Sequence, residues 1–195
     1  DRLIRVTLTD GNSQMLVAAY NGKVVRFPED TVRPMGRTAT GVRAIKLDED
    51  GKDRVIGMIC VEQGSKDSVL VISEKGFGKR TLLDDENGEP IYRITNRGGK
   101  GVKTMNITDK TGNLIGLEAV NDDMDLMLIT KAGTAIRMAM DAISVLGRAT
   151  QGVKLIELQK RNDTLMFGCT VPKEEQEEVA ESEEVTTEET TTTEE

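Results

Sequence analysis

The sequence predicts an all-β fold, a propeller-like disc of about three four-stranded blades, and three observations predict it. The pattern Arg-x-x-x-Gly-Val-(Lys/Arg) stands at three places: Arg37 to Arg43, Arg97 to Lys103 and Arg148 to Lys154. Around each copy the chain breaks into short apolar runs separated by Gly-containing turns. The units recur at a period of roughly fifty to sixty residues, the mark of one supersecondary unit built several times over. A four-stranded sheet cannot bury both of its faces alone, so stacked blades are favoured over separate sandwiches.

The first unit opens on a strand at 15–19, turns at Tyr20-Asn21-Gly22 and returns at 23–27, Asn-Gly being a strong hairpin signal. Pro28 ends that return. A loop carries the first motif into a strand at 42–47, an acidic turn follows at 48–53, and 55–61 is the fourth strand. The second unit repeats the plan, with strands at 69–73, 77–81, 102–107 and 114–120 and an acidic loop at 84–90. Strands at 126–130, 134–138, 153–158 and 165–171 make the third. Leu3-Ile4-Arg5-Val6 matches Val55-Ile56-Gly57-Met58 and Leu114-Ile115-Gly116-Leu117, so residues 3–7 are expected to be the last strand of a preceding blade. Three units make an incomplete ring, so the chain is expected to be a piece of a larger disc whose missing blades precede Asp1.

Charge divides the chain in two. Residues 173–195 hold eleven Glu and one Lys, while residues 1–172 carry a net +2 out of an overall −8. The first part is expected to be the folded domain and the second a disordered acidic tail, with too little to bury to offset the entropy of ordering. That tail reads either as a solubilising end or as a competitor for the body's basic surface. Cys60 and Cys169 sit in apolar runs and are expected to be buried thiols of a reducing compartment. The chain has no His, and no apolar run approaches the length of a membrane span. A soluble, cytoplasmic, non-membrane protein is expected.

Positive charge recurs in register. Arg26, Arg80 and Arg137 each stand four residues after a hairpin glycine; Arg37, Arg97 and Arg148 open the motif; Arg43, Lys103 and Lys154 close it. Nine cations at three equivalent positions, with acids confined to the 48–53 and 84–89 loops, point to an evenly spaced polyanion contact along one rim. Duplex DNA is the expected partner. Lys100 lies among Gly98, Gly99 and Gly101, whose backbone N–H groups are expected to approach a phosphate. With two Tyr, three Phe and no Trp, stacking on single strands is disfavoured, so backbone contact and bending of a duplex are expected. No convergent acid/base set is present, and no catalytic or metal site is assigned.

Gly22-Lys23-Val24-Val25-Arg26-Phe27, Met35-Gly36-Arg37-Thr38-Ala39-Thr40-Gly41-Val42-Arg43, Lys79-Arg80-Thr81 and Gly147-Arg148-Ala149-Thr150-Gln151-Gly152-Val153 together resemble the C-terminal domain of the bacterial DNA gyrase A subunit, over about residues 3–171. The resemblance implies a six-bladed β-pinwheel, of which this chain would hold the last half, that wraps duplex DNA so that a type II topoisomerase core can introduce negative supercoils. It also implies a nucleoid-associated bacterial parent in which gyrase A subunits form a homodimer that works with gyrase B subunits. ATP and magnesium are implied for that parent, and no cofactor for this part. The family's box, Gln-x-x-Gly-Gly-Lys-Gly, is matched at Thr95 to Gly101 except that Thr95 replaces the glutamine, which marks a later-blade relative of the box. The A subunit of topoisomerase IV, which has a related domain, and a protein-binding propeller are the alternatives.

Overall fold

The computed structural model describes residues 2–49, 51–62, 64–158 and 163–173. Eleven strands form three antiparallel sheets, with no α-helix among the described residues. They are β1 (Gln14–Ala19), β2 (Lys23–Pro28), β3 (Val55–Val61), β4 (Ser68–Ser73), β5 (Phe77–Leu82), β6 (Val102–Lys103), β7 (Leu114–Val120), β8 (Met124–Thr130), β9 (Ala135–Ala139), β10 (Val153–Lys154) and β11 (Leu165–Pro172). The expected hairpins are present: β1 pairs with β2 across Gly22, β4 with β5 across Gly76, and β8 with β9 across Gly133.

The connectivity differs from the expected plan in one consequential way. The sheets run β3-β1-β2-β6, β10-β5-β4-β7 and β11-β8-β9. The strand that follows each motif therefore does not complete its own unit. β6 belongs by sequence to the second unit, yet it pairs with β2 of the first, and β10 of the third pairs with β5 of the second. The motif glycine makes this joint possible. At Gly101, φ is +72° and a Cβ would lie 2.5 Å from the Val24 carbonyl oxygen; at Gly152 it would lie 2.7 Å from that of Gly78. No side chain fits between the donated strand and the sheet receiving it.

Two expected strands are absent. Residues 42–47 contribute a single bridge, Ile45 to Gly99, because no acceptor strand lies beside Val42 among the described residues. Residues 3–7 join no sheet and stay largely exposed, held by the Arg5 to Glu118 ion pair at 3.1 Å. The third sheet has three strands, not four, because β10 joins the second. Cys60 and Cys169 are thiols that are half-buried instead of fully buried. The acidic tail expected from 173 onward lies outside the described residues beyond Lys173.

Two of the three core clusters lie between sheets; the third, with Met15, Val17, Val25, Phe27 and Ile45, covers the other face of the first sheet. Leu16, Val24, Ile59, Val69, Val71, Phe77, Tyr92, Met105 and Leu117 join the first sheet to the second, and Leu70, Ile72, Leu126, Leu128, Met140 and Leu158 join the second to the third. Alternation in each strand sends one set of side chains to either neighbour, so every blade is buried on the side where another blade stands.

Candidate nucleic-acid interface

The strand exchange decides where the recurrent cations go. Because the strand after each motif crosses to the previous unit, the motifs come into contact in a row. The Gly98 N–H donates to the Ala44 carbonyl at 2.6 Å, and the Lys46 N–H to the Gly99 carbonyl at 2.8 Å, which docks the second motif on the end of the first. The third docks on the second in the same manner: the Asn106 N–H donates to the Thr150 carbonyl at 3.0 Å, and Nη1 of Arg148 to the Lys103 carbonyl at 2.5 Å. Arg37, Arg43, Lys100, Lys103 and Lys154 are exposed along this line. Arg97 and Arg148 are half-buried in it, Arg97 with Nε on the Thr31 carbonyl at 3.1 Å.

Three of the nine cations behave differently. Arg26 is 5% exposed, and its guanidinium bonds the Leu83 and Tyr92 carbonyls, the Asp84 carboxylate and the Gln14 side chain. Arg80 is 8% exposed, with Nε on the Ile143 carbonyl and Nη1 on Asp122. Each thus staples its sheet to the segment that leads into the next motif, a junction marked also by the parallel bridges Arg26 to Ile94 and Arg80 to Val145. Arg137, where no further unit follows among the described residues, bonds Asp125 and the Pro172 carbonyl. Arg26 and Arg80 are therefore corrected from rim residues to joint residues, whereas Arg137 stays exposed. Acids also stand outside the 48–53 and 84–89 loops, Asp122 pairing with Arg80 and Asp125 with Arg137.

The glycines of the central motif are half-buried, and the Gly98 amide is already engaged by Ala44. Gly101 is accounted for by close packing on Val24 and Gly98 by its φ of +80° and its bond to Ala44, so the Gly98 amide is not free to cradle a phosphate. A groove of about 330 Å³ nevertheless runs beside them, lined by Arg93, Asn96, Gly99, Lys100 and Gly101. Arg93 is an exposed cation that the motif pattern passes over. A signal for it existed, because Arg33 and Arg93 both stand four residues before the motif arginine.

Lys79 is a second omission. It is fully buried, and its amine donates to the Gly147 and Arg148 carbonyls at 2.5 and 2.6 Å and to Oγ1 of Thr150 at 3.1 Å, pinning the third motif loop. Burial first, and then the neighbouring Arg148 guanidinium, push its pKa from the ordinary 10.5 down to about 8. Its counterparts are Val25 and Ile136, so the repeat carried no signal for it. A lowered folded-state pKa means that the unfolded chain holds the extra proton between about pH 8 and 10.5, so stability rises with pH across that window. Comparing denaturant midpoints of the native chain and Lys79→Met from pH 7.5 to 10 should show the native protein gaining on the variant; parallel profiles would refute the linkage.

The model of the family described as the DNA gyrase C-terminal domain, beta-propeller, matches residues 20–62, 67–121 and 125–167, one segment for each repeat. The chain belongs to the DNA gyrase C-terminal domain family. Over 158 residues it is 47% identical to the DNA gyrase A subunit of Staphylococcus aureus strain MRSA252, a match covering 81% of this chain and 17% of that protein. The gyrase-type domain thus spans about a sixth of the length of the curated relatives it matches. Among solved structures, the C-terminal domain of DNA topoisomerase IV superposes with a TM-score of 0.75 at 20% identity, over 86% of this chain and 49% of that one. The DNA gyrase A C-terminal domain gives 0.69 at 24% identity, over 82% and 50%. Those two likenesses establish the fold; the gyrase family assignment rests on the sequence matches.

Proposed function

We propose that this domain is the non-catalytic DNA-wrapping part of a gyrase-type A subunit, and that duplex DNA bends along the line of motif ends. The observation that carries the reading is the contact of the three motifs in one row, with exposed Arg37, Arg43, Lys100, Lys103 and Lys154 along it and Arg93 beside Lys100. Phosphate is the group such a row suits, since cations on a curved edge neutralise a backbone without reading its bases. In the parent the bent duplex would serve a type II topoisomerase core that introduces negative supercoils with ATP and magnesium in a bacterial cytoplasm. That core would be a homodimer of gyrase A subunits working with gyrase B subunits. The acidic run after Lys173 has the charge to compete for the same cations.

Titrating a fluorescent duplex with the domain at stepped potassium chloride tests the reading. For about five neutralised phosphates the plot of log affinity against log salt should fall with a slope of about −4 to −5. Binding that ignores salt, or prefers single strands to duplex, would overturn it.

A further inference from the structure

The joint between the second sheet and the third motif holds a buried charge that the joint before it lacks. Lys79 and Thr81 stand two residues apart on β5 and so share one of its faces. The Thr81 hydroxyl donates to the Leu146 carbonyl at 2.9 Å, and the Lys79 amine to the next two carbonyls, Gly147 and Arg148, and to Oγ1 of Thr150. Three consecutive carbonyls of the third motif loop thus turn inward onto two side chains of the second sheet. In the preceding joint the same two places are held by Val25 and Phe27, which donate nothing, and the groove lined by Val25, Asn96 and Lys100 stands open there.

Protonation of Lys79 decides whether this clamp is complete. An ammonium has three protons and no lone pair, and it meets three oxygens. A neutral amine has two protons and a lone pair, so one of the three contacts becomes a repulsion between lone pairs. The clamp also reaches the neighbouring motif. Arg148, whose carbonyl the ammonium holds, donates Nη1 to the Lys103 carbonyl, and Thr150, whose hydroxyl it holds, accepts the Asn106 N–H on its carbonyl. Both of these links between the second and third motifs therefore leave from residues that Lys79 fixes. The titratable and charged groups nearby are the Arg148 guanidinium from the loop and the Tyr92 hydroxyl, against Thr104 and Thr81, from the segment entering the second motif. Burial raises Tyr92 above its ordinary 10, so it keeps its proton while Lys79 titrates. β4 sets Val71 opposite Lys79, β10 sets Val153 opposite Gly78, and among the described residues no carboxylate bonds the amine.

We propose that Lys79 is a positioning residue of the DNA rim, whose ammonium fixes the 147–150 loop and thereby holds the third motif at a set separation from the second. The inference rests on the duplex reading above. A phosphate brought to Arg148 offsets the repulsion between that guanidinium and the amine, so duplex and proton favour each other's binding. The fold alone has the opposite preference, because burial favours the neutral amine. Raising the pH through about 8 should therefore strengthen the fold and weaken its hold on DNA in one titration. A lysine with only a structural role would move both in the same direction.

Two measurements on the 195-residue chain test this, both with Cys60→Ser and Cys169→Ser to remove the thiols. Spin labels attached at Lys100→Cys and Ala149→Cys, both exposed positions, report the separation of the two loops without DNA. One narrow distance is expected at pH 7, broadening at pH 9 and broad at either pH when Lys79→Met is added. In the unlabelled protein, anisotropy of a fluorescent duplex at fixed salt should show affinity falling on the order of fivefold from pH 7 to 9 while the denaturant midpoint rises. Lys79→Met should bind at the weaker level throughout and lack the step. A label separation indifferent to both pH and Lys79→Met, or affinities that are equal in the two proteins with the same pH profile, would overturn the role. A parent chain that binds no duplex at all would instead overturn the duplex reading, and the label separation would still decide whether Lys79 sets the spacing of the motifs.

Discussion

Arg26→Ala is expected to lower the unfolding free energy by about 3 kcal/mol, the scale on which truncating one partner of a buried charged network acts. The guanidinium bonds the Leu83 and Tyr92 carbonyls as well as the Asp84 carboxylate; truncation takes the side-chain donor from the Tyr92 carbonyl, while Leu83 keeps the Ile91 amide and Asp84 remains open to water. Arg80→Ala should act similarly through Ile143 and Asp122. Arg137→Ala, whose side chain is 28% exposed, should cost less. Denaturant unfolding followed by circular dichroism measures all three. Equal, small losses would mean that these arginines are ordinary surface residues and that the blade joint does not depend on them.

The opposite pattern is expected on the rim. Replacing Arg43, Lys100, Lys103 and Lys154 together by Ala should flatten the salt dependence of duplex binding by about 0.9 for each phosphate no longer neutralised, and weaken binding on the order of a hundredfold at moderate salt. Stability should change little, because these side chains are exposed; Lys103 bonds Asn106, and Lys154 bonds Glu157, near the surface. Fluorescence anisotropy gives the affinity and slope, and a melting curve gives the control. Wild-type binding by the fourfold variant would remove the motif row as the DNA-binding surface. A loss of folding would make it part of the core.

Most strands could be read from the residues, because a hairpin is local: its turn and the alternation around it lie within a dozen positions. What could not be read was which sheet each short strand joins. Val102 to Lys103 looks the same whether it pairs within its own repeat or reaches back to Val24, and the choice is made by packing between units distant in sequence. The cations teach a related lesson. Arg26 and Lys103 recur with equal regularity, but one recurs because a blade joint needs a buried guanidinium and the other because an edge is open to water. Recurrence locates a role without naming it, and burial separates the two. Lys79 shows the converse, a buried cation holding a motif loop with no counterpart in the other units.

The crossing of β6 and β10 into the preceding sheets puts the spatial module and the genetic repeat out of phase by one strand. A duplication of any whole repeat inserts one socket and one plug together and leaves the joints on both sides intact. An excision elsewhere strips two neighbours at once. A chain of this design can therefore lengthen or shorten over evolution in whole steps, altering how much double helix it curves while every internal seam stays the same.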